Sequence, residues 1–339
     1  MSETAKLILK TAVPVAIGLA VVFWLFGNEF SPSQFSQIPW TTRTIAALLL
    51  ACICMAGREI GMMWRLRVLT DRHLTWGASL KVTMMCEFTS AITPTTAGGS
   101  ALSMIFLNRE GISLGRSTTL TLVTLMLDEL FLAVMCPLLF LFVPYGSLLG
   151  FDTSDLDTGI TTAFWIVYAG ICLVTLLLYL GAFVAPGRIA AALGLLFRLP
   201  GLRRWHSKVE DMGQTMVHAG KDLRARSFMW WLRAFGATAM TWICRFLVVN
   251  ALFWGFAELA PQLVVLGRQF VVWTLLTVSP TPGGSGLSEW LFAHYYGDLI
   301  TPASMVAVIA ILWRVITYYV YLLAGIILIP HWLKKKTAE

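Results

Sequence analysis

The sequence predicts an all-α polytopic membrane protein. It reads as a single transmembrane domain over residues 1–339, with about six spanning helices and two re-entrant broken-helix hairpins arranged as inverted repeats. Three observations predict it. Hydrophobic residues make up 58% of the 339 residues and charged ones only 13%, with a mean hydropathy of +0.75. A soluble domain of that length needs far more charge to cover its surface. A Pro/Gly-rich stretch occurs twice inside long apolar segments, first as Thr93-Pro94-Thr95-Thr96-Ala97-Gly98-Gly99-Ser100-Ala101-Leu102-Ser103, then as Ser279-Pro280-Thr281-Pro282-Gly283-Gly284-Ser285-Gly286-Leu287-Ser288. Finally, the 25 basic residues gather in a few loops, so the net charge of +7 reads as positive-inside topology and not as a nucleic-acid footprint.

The elements follow in order. Lys6 and Lys10 precede an apolar run to Phe26. Gly27-Asn28-Glu29 offers no small-x-small cleavage site, so Leu7–Phe26 is expected to be an uncleaved first span. Thr44 to about Trp64 is the second span, ending in Arg58, Arg65, Arg67 and Arg72, which read as an inside loop. Gly77–Leu107 holds the first break, Ser117–Val143 is the next span, and Gly159–Val184 another. The region 186–233 is basic with apolar residues at helical spacing, which predicts amphipathic helices on the cytoplasmic membrane surface. Ala234–Ala257 spans, Leu263–Ala293 holds the second break, and Ser304–Ile329 is the last span. Repeat 1 is then about 44–143 and repeat 2 about 234–329. The six cysteines all lie in apolar runs without metal-ligand spacing, and read as reduced packing residues.

Charge bias sets the topology. With both broken segments re-entrant and the N-terminus inside, most basic residues fall inside, while the acidic 144–158 loop falls outside with Arg43 and Arg268. One hairpin then enters from each face, which is the geometry of inverted repeats related by an axis in the membrane plane. The integral protein is expected in a bacterial cytoplasmic (inner) membrane with both termini cytoplasmic.

Proline and glycine clusters break helices, and a broken backbone survives in a bilayer only beside protein or a water-filled cavity. The Gly98-Gly99-Ser100 and Gly283-Gly284-Ser285 turns are each expected to precede a half-helix whose unpaired N–H groups suit an anion such as phosphate. Hydroxyls of Thr93, Thr95, Ser100, Ser279, Thr281 and Ser285 add donors, and Pro94, Pro280 and Pro282 shape the breaks. The bland alternative is close helix packing by the glycines and kinking by the prolines. Glu87, Asp128, Glu129, Arg245, Glu289 and Arg314 stand in apolar surroundings, where charges are costly and face cavities or each other. The repeat offset relates Arg314 to Asp128 or Glu129, which suggests an ion pair across the cavity, functional or purely structural. Glu289 either complements a helix dipole, couples protons or meets a cationic headgroup. No metal site or cofactor is expected.

The chain resembles the integral-membrane flippase region of the lysyl-phosphatidylglycerol synthases and the stand-alone proteins built from it. The carrying residues are Thr93-Pro94 with Gly98-Gly99, the run Leu107-Asn108-Arg109-Glu110-Gly111-Ile112-Ser113, Asp128, Pro280-Thr281-Pro282-Gly283-Gly284 with Gly286 and Glu289, and Arg314 with Tyr318, Tyr319 and Gly325. Two places depart from the family pattern: Ser103-Met104 and Thr124–Leu127 stand where many members carry a basic residue. The resemblance implies movement of a phospholipid or lipid-linked headgroup, phosphate-bearing, as the membrane partner; a homo-oligomer is compatible with it. The synthases' aminoacyl-transfer domain would follow the membrane region, and this sequence stops at Glu339, so no aminoacylation is expected. Two other functions stay open on the residues alone. One is an ion- or proton-coupled carrier of a small solute. The other is an intramembrane lipid-modifying enzyme, although no histidine lies near either break.

Overall fold

The computed structural model describes residues 40–93, 97–149, 155–185, 187–188, 206–257, 260–281, 283–300 and 304–325. The expected span Leu7–Phe26 and the terminal lysines lie outside them. The described chain is helices and their connections: α1 (Thr42–Leu69), α2 (Trp76–Ile92), α3 (Ala97–Arg109), α4 (Leu114–Phe142), α5 (Tyr145–Leu149), α6 (Asp155–Tyr179), α7 (His206–Arg224), α8 (Phe228–Phe256), α9 (Gln262–Leu276), α10 (Leu287–Tyr296) and α11 (Ser304–Arg314). A π-helical turn, Leu180–Val184, ends α6, and another, Val315–Tyr319, follows α11 before helix resumes to residue 325. Five helices among the described residues are long and apolar enough to cross a membrane: α1, α4, α6 with its π turn, α8, and Met305–Gly325. The fold is therefore an all-α polytopic membrane protein.

Local sequence sets the helix starts. Thr41 and Thr44 form a reciprocal capping box for α1, with Thr41 N–H donating to Thr44 Oγ1 at 2.9 Å and Thr44 N–H to Thr41 Oγ1 at 3.2 Å. Thr75 and Ser227 cap α2 and α8. Because Ser227 starts the helix, α8 begins at Phe228. Residues 228–233 of the segment assigned to 186–233 thus lie in α8, and the same segment contains α7. The second span also runs past its expected end, to Leu69, and carries Arg58 and Arg65 inside it.

α1 and α8 form the spine. They pack antiparallel along their length: Arg43 Nε donates to Trp254 O at 2.7 Å at one end, Gly57 faces Cys244 in the middle, and Arg65 reaches Thr238 at the other. Small residues permit the close approach. A Cβ at Gly61 would stand 2.6 Å from Thr241 Oγ1, and one at Gly255 would stand 2.2 Å from Ala47 Cβ. Each spine helix is followed by two half-helices and another long helix: α1 by α2, α3 and α4, and α8 by α9, α10 and the last helix. In each pair the half-helices pack on each other. Two buried apolar cores flank the spine. One gathers Phe164, Phe246, Phe253, Phe270, Phe292 and Tyr296; the other is built on Phe88, Phe106, Leu107, Leu120 and Tyr319. Outward faces carry exposed Leu49, Ile53, Leu141, Ile166, Leu176 and Leu177, as suits helices solvated by lipid.

Candidate functional site: a charged cavity between the two breaks

The two breaks differ. α2 ends at Thr93, whose Oγ1 donates to Thr89 O at 2.7 Å, and α3 has begun by Ala97. Gly98, Gly99 and Ser100 are therefore helical, in the first turn of α3, and do not form the turn expected before it; Pro94 and the placement of these side chains lie outside the described residues. The second break is an open turn. Gly283, Gly284 and Gly286 have φ of 59°, 72° and 82°, the left-handed region that glycine alone enters freely. At Gly283 a side chain is doubly excluded, because a Cβ would lie 2.0 Å from the Tyr318 ring. Pro282, which precedes these glycines and lies outside the described residues, has Ala97 as its counterpart in the first copy, and alanine is a strong helix former.

A cavity of about 250 Å³ opens between the breaks and the spine. Charged side chains line it from four long helices and one half-helix: Arg58 and Arg65 from α1, Glu87 from α2, Asp128 and Glu129 from α4, Arg245 from α8, and Arg314 from α11. Ser279, Thr281, Gly283 and Gly284 of the second break join them, with Trp242, Trp273, Tyr318 and Tyr321. Asp128 stands 14 residues from either end of α4, or roughly 21 Å at 1.5 Å per residue, so the charges sit at mid-helix depth.

Most of these charges are matched within the protein. Arg58 Nη2 lies 2.7 Å from Glu87 Oε1, and its Nη1 lies 2.5 Å from Glu59 Oε1. The Tyr321 hydroxyl donates to the same Glu59 oxygen at 2.6 Å. Arg65 pairs with Asp128 at 2.5 Å, and the Trp242 indole N–H also donates to that carboxylate at 2.8 Å. Arg314 donates to Gly283 O and to Ser285 Oγ, each at 2.9 Å, while its Nε lies 2.7 Å from Glu289 Oε1. Its guanidinium is also 4.2 Å from the Tyr318 ring centroid. The Tyr318 hydroxyl in turn donates to Ala91 O, at the end of α2, over 2.8 Å.

The sequence expectations divide accordingly. Asp128, Glu129, Thr281, Gly283, Gly284 and Arg314 meet at the cavity. Ser285 is buried and reaches it through Arg314; Pro280 is exposed, and Thr93 is tied back to α2. Glu289 caps its own helix, accepting from Gly286 N–H at 2.7 Å and Ser288 Oγ at 2.8 Å, so the start of α10 already has a carboxylate on it. The expected pair between Arg314 and Asp128 or Glu129 is absent: Arg314 takes Glu289, and Asp128 takes Arg65. An offset between repeats identifies equivalent positions, and equivalent positions meet only if both lie near the symmetry axis. Arg58 and Arg65, expected in a loop, are 5% and 3% exposed and lie within the helix. Their seven-residue spacing, two helical turns, was the available sign that they share one face. Arg268, expected in an outside region, is buried beside Ser147 O, Tyr295 O and Asp298.

A family model of the lysylphosphatidylglycerol synthase TM region matches residues 11–325. Among curated proteins, a UPF0104 membrane protein of Archaeoglobus fulgidus is 23% identical over 329 residues, which cover 93% of this chain and 94% of that relative. No solved structure matches.

Proposed function

Because the chain belongs to the family of the lysylphosphatidylglycerol synthase transmembrane region, we propose that it moves a phospholipid or lipid-linked headgroup between leaflets through the mid-helix cavity. The observation that carries the reading is Arg245. It lies in the cavity with its guanidinium 4.0 Å from the Trp273 ring centroid, and no carboxylate pairs with it among the described residues. A cation held at mid-membrane without a carboxylate partner among the described residues is a ready site for a phosphate. The cavity volume, at the low end of ligand pockets, suits a headgroup with the acyl chains left in lipid.

The two breaks are read as re-entrant, entering from opposite faces. In support, α1 and α8 occupy matching places in the two helix–hairpin–helix runs and lie antiparallel, the relation that inversion requires of equivalent helices. The anion site expected at both half-helix starts shifts to Arg245, since Glu289 occupies the start of α10.

Reconstitution into vesicles with acyl-labelled phospholipids tests the reading. The wild-type chain is expected to move label between leaflets, and Arg245→Gln to lower the rate at least tenfold. Vesicles in which the wild-type chain moves no lipid, but carries a small phosphorylated solute inward, would overturn it in favour of a solute carrier.

A further inference from the structure

Matching the cavity's charges to their partners leaves two over. Arg58, Arg65 and Arg314 each have a carboxylate oxygen within 2.7 Å. Arg245 has neither an ion pair nor a hydrogen bond among the described residues, only the face of Trp273. Glu129 is its opposite. The Oε2 atom is buried without a hydrogen-bond partner, and no basic group among the described residues pairs with the carboxylate. Both side chains line the same cavity.

These two charges do not satisfy each other. A run of contacts leads from one toward the other: Arg245 lies on Trp273, Trp273 meets Trp242 edge to face at 5.3 Å between centroids, and Trp242 donates to Asp128, the sequence neighbour of Glu129. One unmatched cation and one unmatched carboxylate thus line a cavity that Trp242 and Trp273 also line. Each costs several kcal/mol in low dielectric unless a counter-charge arrives. A purely anionic ligand would satisfy Arg245 and leave Glu129 facing a like charge.

Building on the headgroup-translocation reading, we propose that the cavity selects a zwitterionic headgroup, with its phosphodiester on Arg245 and a single primary ammonium on Glu129. Trp242 and Trp273 supply apolar surface in the same cavity. A primary ammonium suits Glu129 better than a quaternary one, because the buried Oε2 is an acceptor without a donor and a quaternary amine has no N–H to give.

Binding is measured apart from transport, by calorimetric titration of the full chain in non-ionic detergent. The probes are dihexanoyl phosphatidylethanolamine, phosphatidylcholine and phosphatidylglycerol. The ethanolamine lipid is expected to bind at least tenfold more tightly than the other two. Glu129→Gln, isosteric and with no protein pair to break, should weaken the ethanolamine lipid about tenfold and spare the glycerol lipid. Arg245→Gln should weaken all three. Equal wild-type affinity for the ethanolamine and glycerol lipids, or an unchanged ratio in Glu129→Gln, overturns the proposal. Glycerophosphoethanolamine binding as tightly as its acylated form would assign the site to a soluble headgroup and overturn the lipid source. A chain that shows the expected binding pattern but translocates nothing defeats the transport reading alone. One that flips ethanolamine and glycerol lipids at equal rates defeats the charge match alone.

Discussion

Arg314 and Arg245 are both cavity arginines, yet their surroundings give them different duties. Arg314 holds Gly283 O, Ser285 Oγ and Glu289, and so fixes the second break against the last helix. Removing it leaves Glu289 beside the membrane interior without its counter-charge, a loss of about 3 kcal/mol by analogy with broken buried pairs. Arg314→Ala is therefore expected to lower the unfolding temperature in detergent by several degrees. Arg245 has no ion pair to break, so Arg245→Gln should leave that temperature within about 3 °C while lowering the proposed lipid movement at least tenfold. If the two variants melt alike, the division of labour between them is wrong. Which residues carry charge was plain from the sequence, because an ionised group in an apolar run stands out. Their pairing was not: apart from the adjacent Glu59, the partners of Arg58 and Arg65 come from α2 and α4, on the far side of turns whose geometry no local pattern encodes.

At the scale of elements, the breaks were legible because proline and glycine act locally on the backbone, and the structure interrupts the chain at both. Their detailed forms were not, since near-identical glycine pairs fold differently: Gly98-Gly99 lie in the first turn of a helix while Gly283-Gly284 turn left-handed. The α1–α8 spine went unseen for another reason. Gly57 and Gly61 form a small-xxx-small pair in α1, but a lone pair of that kind does not reveal which helix it faces. Here it faces Ala237, Thr241 and Cys244, and a branched side chain cannot enter. Gly61→Val should cost about 1–3 kcal/mol through overpacking, read as a lower unfolding temperature. Gly77→Ala, at a position where an added Cβ meets nothing within 4 Å, serves as the control that should melt like wild type.

For the whole molecule, the helix ends carry the test of topology. Asn108 closes the first hairpin near the end of α3, and His294 lies near the end of α10 in the second. With the hairpins entering from opposite faces, single cysteines at these positions should react with impermeant thiol reagents from opposite sides of the membrane, measured in a background where the six native cysteines, all free, are replaced. Labelling of both from one side would sink the inverted arrangement. The class of molecule, and the five long helices among the described residues, needed only hydropathy and length. The cavity needed the packing of helices distant in sequence, with residues of α1 and of the last helix meeting across more than 250 positions at Arg58, Glu59 and Tyr321.

Tyr318 gives this architecture a mechanical character. Its hydroxyl holds the carbonyl at the end of α2, while its ring fills the space that a side chain at Gly283 would need. One phenol thus touches both breaks at once, and it stands in the π-helical turn of the last helix, where the backbone departs from regular spacing. A motion that withdraws either break must first surrender a contact belonging to the other. The two interrupted segments are thus coupled through one side chain, so a substitution at Tyr318 loosens both at once.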